Sequence, residues 1–289
     1  MGLQETIKAV YDKDTDLKTT LDERMKAKPF NKQAMAIRLT LTALAILTLY
    51  GFATFDYKDI QLLDAVYSMA ITVKTMFFQP SINHFTFGDG LKQVSITLGL
   101  AFLTTLFGSF VALFLSLLAA RNLSDPRLSI VIKGGVAFIR AVPTVLWVLI
   151  FAVAAGLGSV AAVIGMTFHS VSYLVKAYSE SFEELDKGVI EALKASGANW
   201  WQIVFQAVIP SSVTYLISWT FMRFEINFAV AVAMGAAAGA GGIGYDMFMA
   251  SSFYYDVREI GAITYFILVF AILLEIMAGR IKKKLKVHD

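Results

Sequence analysis

The chain has 289 residues, of which 57% are hydrophobic and only 16% charged, and its mean hydropathy is +0.65. A soluble domain carries about 25% charged residues, so this composition favours a membrane protein. The absence of cysteine excludes disulfides, thiolate zinc sites and cysteine nucleophiles. Residues 1–34 are polar, without the apolar stretch that a cleaved signal peptide needs. We therefore expect a retained helix to enter the membrane first.

Apolar runs predict an all-α polytopic protein with about six transmembrane helices, because a spanning helix needs about 20 apolar residues. The third run contains Pro143 and is predicted as one span. Together the predicted spans are Met35–Phe55, Val94–Ala120, Ile130–Leu157, Val160–Tyr178, Pro210–Met234 and Ile260–Gly279.

The distribution of Lys and Arg predicts the orientation of these spans. Basic residues are frequent before the first span, after the second and fourth spans, and at the C-terminus, which all fall on one side of a six-span protein. Both termini are therefore predicted to be cytoplasmic. Asp59–Phe78 is interpreted as an amphipathic helix in the outer interface, and a seventh span is the competing interpretation.

The charged stretch at 179–210 carries the strongest local signals. Ser181 and Glu184 have the spacing of a capping box, which predicts a helix that runs to about Ser196. Gly197 fits the left-handed position that ends a helix. Asn199, followed by Gln202, predicts a second helix start, and Pro210 is expected to bend or restart the chain at the membrane.

This stretch resembles the EAA loop of binding-protein-dependent ABC importer permeases, which docks into a groove of a cytoplasmic ATPase. In that family a Glu-Ala pair is followed by Gly, Ile and Pro at fixed spacings, and Leu193 here stands where the family often has Ala. The resemblance implies an ATPase-coupling role for Glu191, Ala192, Leu193, Gly197, Ala198, Ile203 and Pro210.

The remainder of the chain is similar to the same family. Ser95–Leu98 resembles the opening helix of the permease core, and Phe138–Pro143 resembles a signature that contains Arg140. The external Gly-rich turn of the family is matched by Gly239, Gly241, Gly242 and Gly244. These glycines also fit G-x-G-x-x-G, but a dinucleotide site needs a preceding strand and a βαβ unit. The expected divisions are a cytoplasmic tail at 1–34, an added helix and external segment at 35–90, the permease domain at 91–280 and a basic tail at 281–289.

Two segments favour the phosphonate-transporter subfamily within this family. These are Phe77–Pro80 before the second span and Phe224–Asn227 in the fifth. The chain departs from that pattern at Gln79, where a second Pro is common, and at Phe228–Ala229, where a basic residue is expected. The identity of the transported oxyanion is therefore left undecided between phosphonate, phosphite, a phosphate ester and another small phosphorus anion. A permease for another solute, such as an amino acid, is the alternative.

Three polar residues interrupt the fifth span, namely Arg223, Glu225 and Asn227. Charges at this depth are costly and usually face a bundle interior or a cavity. Arg223 and Asn227 are four residues apart and share a helix face. An interhelical ion pair or hydrogen bond is one interpretation of this group and of Arg140, and a lining of the substrate pathway is the other.

The resemblance implies a homodimer in the plasma membrane of a prokaryote, with two ATPase subunits inside, a substrate-binding protein outside and lipid around it. The chain lacks the P-loop motif, so ATP and Mg²⁺ are expected on the partner ATPase. No cofactor, metal or nucleic acid is expected on this chain, since His84, His169 and His288 are scattered. A stand-alone secondary transporter and a membrane enzyme are the other classes, and neither explains the Glu191–Pro210 pattern.

Overall fold

The computed structural model describes residue 2 and residues 32–55 and 61–286, without the side chains of residues 282, 285 and 286. The predicted tail at 1–34 lies almost wholly outside the described residues, as do the start of the interfacial segment and residues 287–289. The described part is helical and contains no strand. The helices are α1 (Lys32–Thr54), α2 (Leu62–Phe78), α3 (Phe87–Ala119), α4 (Pro126–Ala141), α5 (Thr144–Ala155), α6 (Ser159–Glu183), α7 (Lys187–Ala195), α8 (Trp200–Ala238), α9 (Ile243–Ser252) and α10 (Val257–Lys286).

Within the described residues, five helices are long and apolar enough to cross a membrane, and the bent pair α4–α5 makes up to six. The all-α class and the predicted span number are therefore confirmed. The chain divides into two compact units between Leu62 and Leu63. The smaller unit contains α1, a mostly apolar helix of 23 residues with no buried side chain. At 17 residues, α2 falls below the length of a candidate span, and its interfacial placement stays a prediction.

The predicted third span, Ile130–Leu157, is broken at Pro143 into two helices. α4 ends at Ala141, α5 begins at Thr144, and the two helices meet at 90°. Val142 and Pro143 have extended backbone conformations between them. The residue before a proline is disfavoured in the α conformation, and the proline has no N–H to continue the helix. The break places Arg140 in the last turn of α4.

The larger unit is built around α6, which packs against α3, α4, α5 and α8. Two contacts depend on glycine. A Cβ on Gly165 would lie 2.5 Å from the backbone of Val148 in α5, and one on Gly108 of α3 would lie 2.9 Å from the Cβ of Ser170. Small residues allow membrane helices to approach this closely and gain van der Waals contact. α6 thereby becomes the central element against which the polar residues of α8 are placed.

Candidate functional site

The segment between α6 and α8 forms the predicted helix, turn and second helix, but its first helix starts later than predicted. Ser181 is not a helix cap: it lies buried inside α6, where its Oγ donates to the Ala177 carbonyl at 3.0 Å. The short helix α7 begins instead at Lys187, where the Asp186 carboxylate accepts from the Gly188 N–H at 3.0 Å. The Ser-x-x-Glu spacing therefore occurs within a helix here, and the coupling helix is only nine residues long.

The end of α7 confirms the predicted left-handed glycine. Gly197 has φ +86°, and its N–H donates to the Lys194 carbonyl at 3.0 Å. The N–H of Ala198 donates to the Leu193 carbonyl at 3.0 Å, so together these bonds form a Schellman cap. The Asn199–Gln202 capping box is also confirmed, with reciprocal hydrogen bonds of 2.9 and 2.7 Å. The chain therefore reverses sharply between α7 and α8.

We name residues 187–203 the coupling segment, after the role that the family resemblance implies for it. One face of this segment packs against the membrane helices and the other face is exposed. Ile190 and Ile203 are buried in one of the two hydrophobic clusters of the core, and Leu193 and Ala198 pack against that cluster. Glu191, Ala192 and Gly197 are exposed. Trp200 adds a further anchor, because its Nε1 donates to the carbonyl of Leu123 after α3 at 2.9 Å. The segment is therefore firmly attached to the membrane helices while its Glu-Ala side stays free.

Pro210 was predicted to bend or restart the chain at the membrane, and the helix does not stop there but changes from a π-helical to an α-helical conformation directly before it. α8 continues from Trp200 to Ala238 through a π-helical stretch at Val204–Val208. Pro210 has no N–H for the preceding turn, and the wider π turn lies directly before it. A single 39-residue helical element thus joins the turn at Gly197 to the polar residues Arg223 and Asn227.

The Gly-rich turn connects α8 to α9 by backbone that only glycine adopts readily. Gly239, Gly241 and Gly242 have φ of +61°, +78° and +75°. A Cβ on Gly244 would clash with the carbonyl of Val232. The Ile243 N–H donates to the Thr97 hydroxyl at 3.0 Å, which fixes the turn against α3. The preceding element is a membrane helix, so the dinucleotide interpretation has no structural support.

Arg223 of α8 is only 3% exposed and is surrounded by neutral groups of α6. Its Nε donates to Ser170 Oγ at 3.0 Å, and its Nη2 lies 3.1 Å from His169 Nδ1, which must accept because a guanidinium only donates. The guanidinium carbon lies 5.1 Å from the centre of the Tyr173 ring, within cation–π distance. No carboxylate pairs with Arg223 in the described part of the chain.

Asn227 belongs to the same cluster, as its position four residues after Arg223 predicted. It is completely buried, its Oδ1 accepts from Ser170 Oγ at 3.1 Å, and its Nδ2 donates to Thr105 of α3 at 2.9 Å. Glu225 is not part of the cluster and is half-buried. The carboxylate of Glu225 forms no ion pair among residues 32–55 and 61–286. Of the predicted interhelical ion pair or hydrogen bond, the hydrogen bond is the one that the structure shows, since Arg223 bonds to α6 and Asn227 to α6 and α3.

Arg140 is exposed at the end of α4 and lines a cavity of about 390 Å³ with Tyr173, Lys176 and Trp219. Tyr173 lies in this cavity and also under Arg223, so the two arginines are separated by one aromatic side chain. Sequence reasoning missed His169, Ser170, Tyr173, Lys176 and Trp219. The available signal was the polar face of α6, which recurs at helical spacing inside an apolar span.

At the outer end, the chain holds a second buried charge. Glu259 of α10 is 1% exposed, and its two oxygens accept from the backbone N–H and Nδ1 of His84 at 2.8 and 2.7 Å. Asn83 donates to Asp256 at 2.6 Å. This hydrogen bond, with further bonds from the N–H groups of Glu259 and Arg258, holds the pKa of Asp256 below its usual value. We name His84, Asn83, Asp256 and Glu259 the outer tie.

The outer tie has metal-ligand residue types, since His84, Asp256 and Glu259 bring one ligand atom each to within 4.8 Å of one another. Their carboxylate oxygens are already used, however. Both oxygens of Glu259 accept from His84, while Asp256 accepts from Asn83 and from the N–H groups that open α10. The arrangement is therefore a hydrogen-bonded connection between the segment before α3 and the start of α10.

These features define a polytopic membrane protein in which a short helix and turn are joined by one long helix to a buried polar cluster. The sequence profile described as "Binding-protein-dependent transport system inner membrane component" matches residues 112–287. The chain belongs to this family.

Two curated relatives are similar over 68% of this chain. The phosphate-import permease protein PhnE of Mycolicibacterium smegmatis is 31% identical over 199 residues, which is 37% of its own length. The phosphite transport system permease protein PtxC of Stutzerimonas stutzeri is 30% identical over 197 residues, or 71% of its length. The MetNI methionine ABC transporter, solved in an inward-facing conformation, has a similar fold with a TM-score of 0.62 and 21% identity, covering 68% of this chain and 95% of the transporter chain.

Proposed function

We propose that this chain is the permease subunit of an importer for a small phosphorus oxyanion such as phosphonate, phosphite or phosphate. Arg223 is the observation that carries the proposal. It is a 3% exposed guanidinium without a carboxylate partner in the described part of the chain, and Nη1 has no hydrogen-bond partner there. A buried charge without a counter-ion is expensive. A transient anionic substrate would supply the missing charge.

The phosphorus chemistry is supported by the relatives named for phosphate and phosphite import. A phosphate-type group carries about −1.5 to −2 charges near neutral pH and accepts several hydrogen bonds from a guanidinium. An amino acid, by contrast, also brings an ammonium group, for which the Arg223 cluster offers no carboxylate. The cluster therefore fits an anion better than a zwitterion.

The proposed assembly contains two copies of this chain, with the pathway between them. Two ATPase subunits dock on the outward face of the coupling segment, formed by Glu191, Ala192 and Gly197, and these subunits bind ATP and Mg²⁺. A substrate-binding protein docks at the opposite side of the membrane. When the ATPases close, α7 moves, and α8 carries that movement to Arg223, which changes the side from which the anion is accessible.

Uptake by proteoliposomes tests the transported substrate. The chain is reconstituted with its ATPase and binding protein, and ATP-dependent entry of labelled phosphate, phosphite, methylphosphonate and methionine is compared. We expect uptake of at least one phosphorus oxyanion, inhibited by the others, and none of methionine. Methionine uptake without phosphorus uptake would reject the proposed substrate. Native mass spectrometry of the same preparation tests for two permease and two ATPase copies.

Cysteine labelling tests the proposed orientation in the plasma membrane, with cytoplasmic termini. The chain has no native cysteine, so the background is clean. Lys194→Cys in α7 should react only with reagents that reach the cytoplasm, and Ser252→Cys at the end of α9 only with reagents added outside. Labelling of both positions from the same side would reject the orientation.

A further inference from the structure

We propose that Arg140 and Lys176 form a second oxyanion site on the cytoplasmic side of Arg223, which takes a phosphate-type group. The proposal deepens the proposed function and rests on it for the identity of the transported anion. It starts from the face of α6 that carries His169, Lys176 and Glu183. Successive residues of this set are seven apart, so they share one face of the helix, and each lies about 10 Å from the next along its axis.

The two ends of this face have partners that satisfy them. At the cytoplasmic end, Glu183 accepts from Lys133 of α4 at 2.7 Å and from the Arg121 N–H at 2.7 Å. At the deep end, His169 accepts from Arg223. At each end, a residue of α6 therefore accepts a hydrogen bond from a basic side chain of a neighbouring helix: Glu183 from Lys133, and His169 from Arg223.

The middle of the face is different because it combines two cations. Arg140 lies seven residues after Lys133 on α4, as Lys176 lies seven before Glu183 on α6. Arg140 and Lys176, together with Glu180, line both the 390 Å³ cavity and an adjoining cavity of about 200 Å³ that Lys133 also lines. Two like charges that face the same cavity repel each other, and an anion between them removes this repulsion.

The carboxylate of Glu180 compensates only part of the positive charge of Arg140 and Lys176. It lies 3.7 Å from the Lys176 ammonium, and both side chains are more than half exposed, at 56% and 53%. Such exposed pairs within one helix are weak. Arg140 has no ion-pair partner in the described part of the chain. Two cations and one carboxylate therefore line the larger cavity, which leaves one positive charge in excess to attract an oxyanion.

The position of this site gives it a role in release. Tyr173 lines the larger cavity and underlies Arg223, so an anion that leaves Arg223 enters the cavity beside the same ring. Arg140 and Lys176 then lie between it and the cytoplasmic end. With two weak binding sites in sequence, the anion crosses the low-dielectric region in two shorter steps. Because Lys176 is exposed to water, the second site binds the anion weakly enough for it to leave.

Phosphate binding to the permease–ATPase complex, without the binding protein, tests the site directly. The complex is placed in phosphatidylcholine vesicles, and binding of labelled inorganic phosphate is compared between the wild type, Arg140→Gln, Lys176→Gln and the double variant. We expect each single change to weaken one binding step about tenfold, as for loss of one charge-assisted hydrogen bond, and the double change to abolish that step. Arg127→Gln, which removes an exposed charge from the same helix, is the matched control.

Arg140→Lys distinguishes a charge effect from a folding defect, because it keeps the charge and should retain most of the binding. Equal phosphate binding and equal uptake by the wild type and the double variant would overturn the site. Failure of the wild type to import any phosphorus oxyanion would reject the proposed substrate instead, while the phosphate-binding comparison still decides the site.

Phosphatidylglycerol added to the vesicles identifies the source of the phosphate group. If the site takes the free anion, phosphatidylglycerol leaves the difference between wild type and double variant unchanged. If a lipid headgroup also occupies it, phosphatidylglycerol displaces labelled phosphate from the wild type and has no such effect on the double variant. Both results support a phosphate-type site at Arg140 and Lys176.

Discussion

Glu259 in the outer tie and Arg223 at the centre of α8 are both almost completely buried, at 1% and 3% exposure. Their surroundings differ. Both oxygens of Glu259 accept hydrogen bonds from His84, which lies on another segment. Arg223 contacts only neutral groups, and its Nη1 has no hydrogen-bond partner in the described part of the chain. The comparison separates a charge whose hydrogen bonds join two segments of the fold from a charge that, in our proposal, is kept available for a passing anion.

Gly197→Val should abolish transport while the fold stays intact. Its uptake gives the lower limit against which the variants of the two buried charges are compared. A β-branched side chain at φ +86° is strained by about 1–3 kcal/mol, so the reversal between α7 and α8 should be lost. We expect uptake near background with normal membrane insertion. Gly279→Val, at a helical glycine with open space around it, is the control and should transport normally. Normal uptake by Gly197→Val would reject the coupling role of this segment.

Glu259→Ala should affect stability much more than transport chemistry. The change leaves the His84 donors without their acceptor and should lower the free energy of unfolding by about 2–3 kcal/mol. Unfolding in mixed micelles with increasing SDS measures this change. Glu275→Ala removes an exposed carboxylate from the same helix and should stay within about 0.5 kcal/mol of the wild type. Equal stability of the two variants would mean that the outer tie does not hold the fold together.

Ser170→Ala should sharpen the role of the central cluster. Ser170 accepts from Arg223 and donates to Asn227, so its loss removes one hydrogen bond from each side chain without removing a charge. We expect uptake to fall about threefold to tenfold, corresponding to one hydrogen bond of about 1 kcal/mol. Ser172→Ala is the control, because Ser172 bonds only to the His169 carbonyl of its own helix. Similar uptake by both variants would show that the placement of Arg223 does not depend on Ser170.

The smallest expected effect concerns acid sensitivity of the outer tie. The pKa of Asp256 is lowered chiefly by the hydrogen bond from Asn83. Its stabilising contribution is therefore present above the unfolded pKa of about 3.9 and is lost as the pH falls through the lower folded value. Melting temperatures of the solubilised wild type and Asp256→Asn should converge below pH about 4. A constant difference between them down to pH 3 would contradict this assignment.

Local signals in the sequence predicted the coupling segment well. Gly197 and the Asn199–Gln202 box depend on residues within a few positions, so their backbone conformation follows from chemistry that the sequence displays. The same kind of signal failed at Ser181, because a Ser-x-x-Glu spacing does not reveal whether the chain is already helical. Pro143 indicated a disturbance of the third span, but the 90° angle depends on packing against α6.

The central cluster consists of Arg223, Asn227, His169 and Ser170, and the sequence predicted only the two residues on α8. Arg223 and Asn227 stand out as polar residues in an apolar span, and both are buried at one place. Their partners His169 and Ser170 lie more than 50 positions earlier in the chain. A single sequence does not show which faces of two distant helices meet, and the close approach of α6 to α3 at Gly108 depends on three-dimensional packing.

The most direct test of the central claim is ATP-dependent phosphonate uptake by Arg223→Gln, with Arg223→Lys beside it, in proteoliposomes that contain the ATPase and the binding protein. Both copy number and ATPase docking are measured on the same preparations. We expect Arg223→Gln to assemble normally and to lose uptake at least tenfold, while Arg223→Lys, which keeps the charge, retains a substantial part of it. Normal uptake by Arg223→Gln, or its failure to assemble, would contradict the claim that Arg223 is kept available for the transported anion.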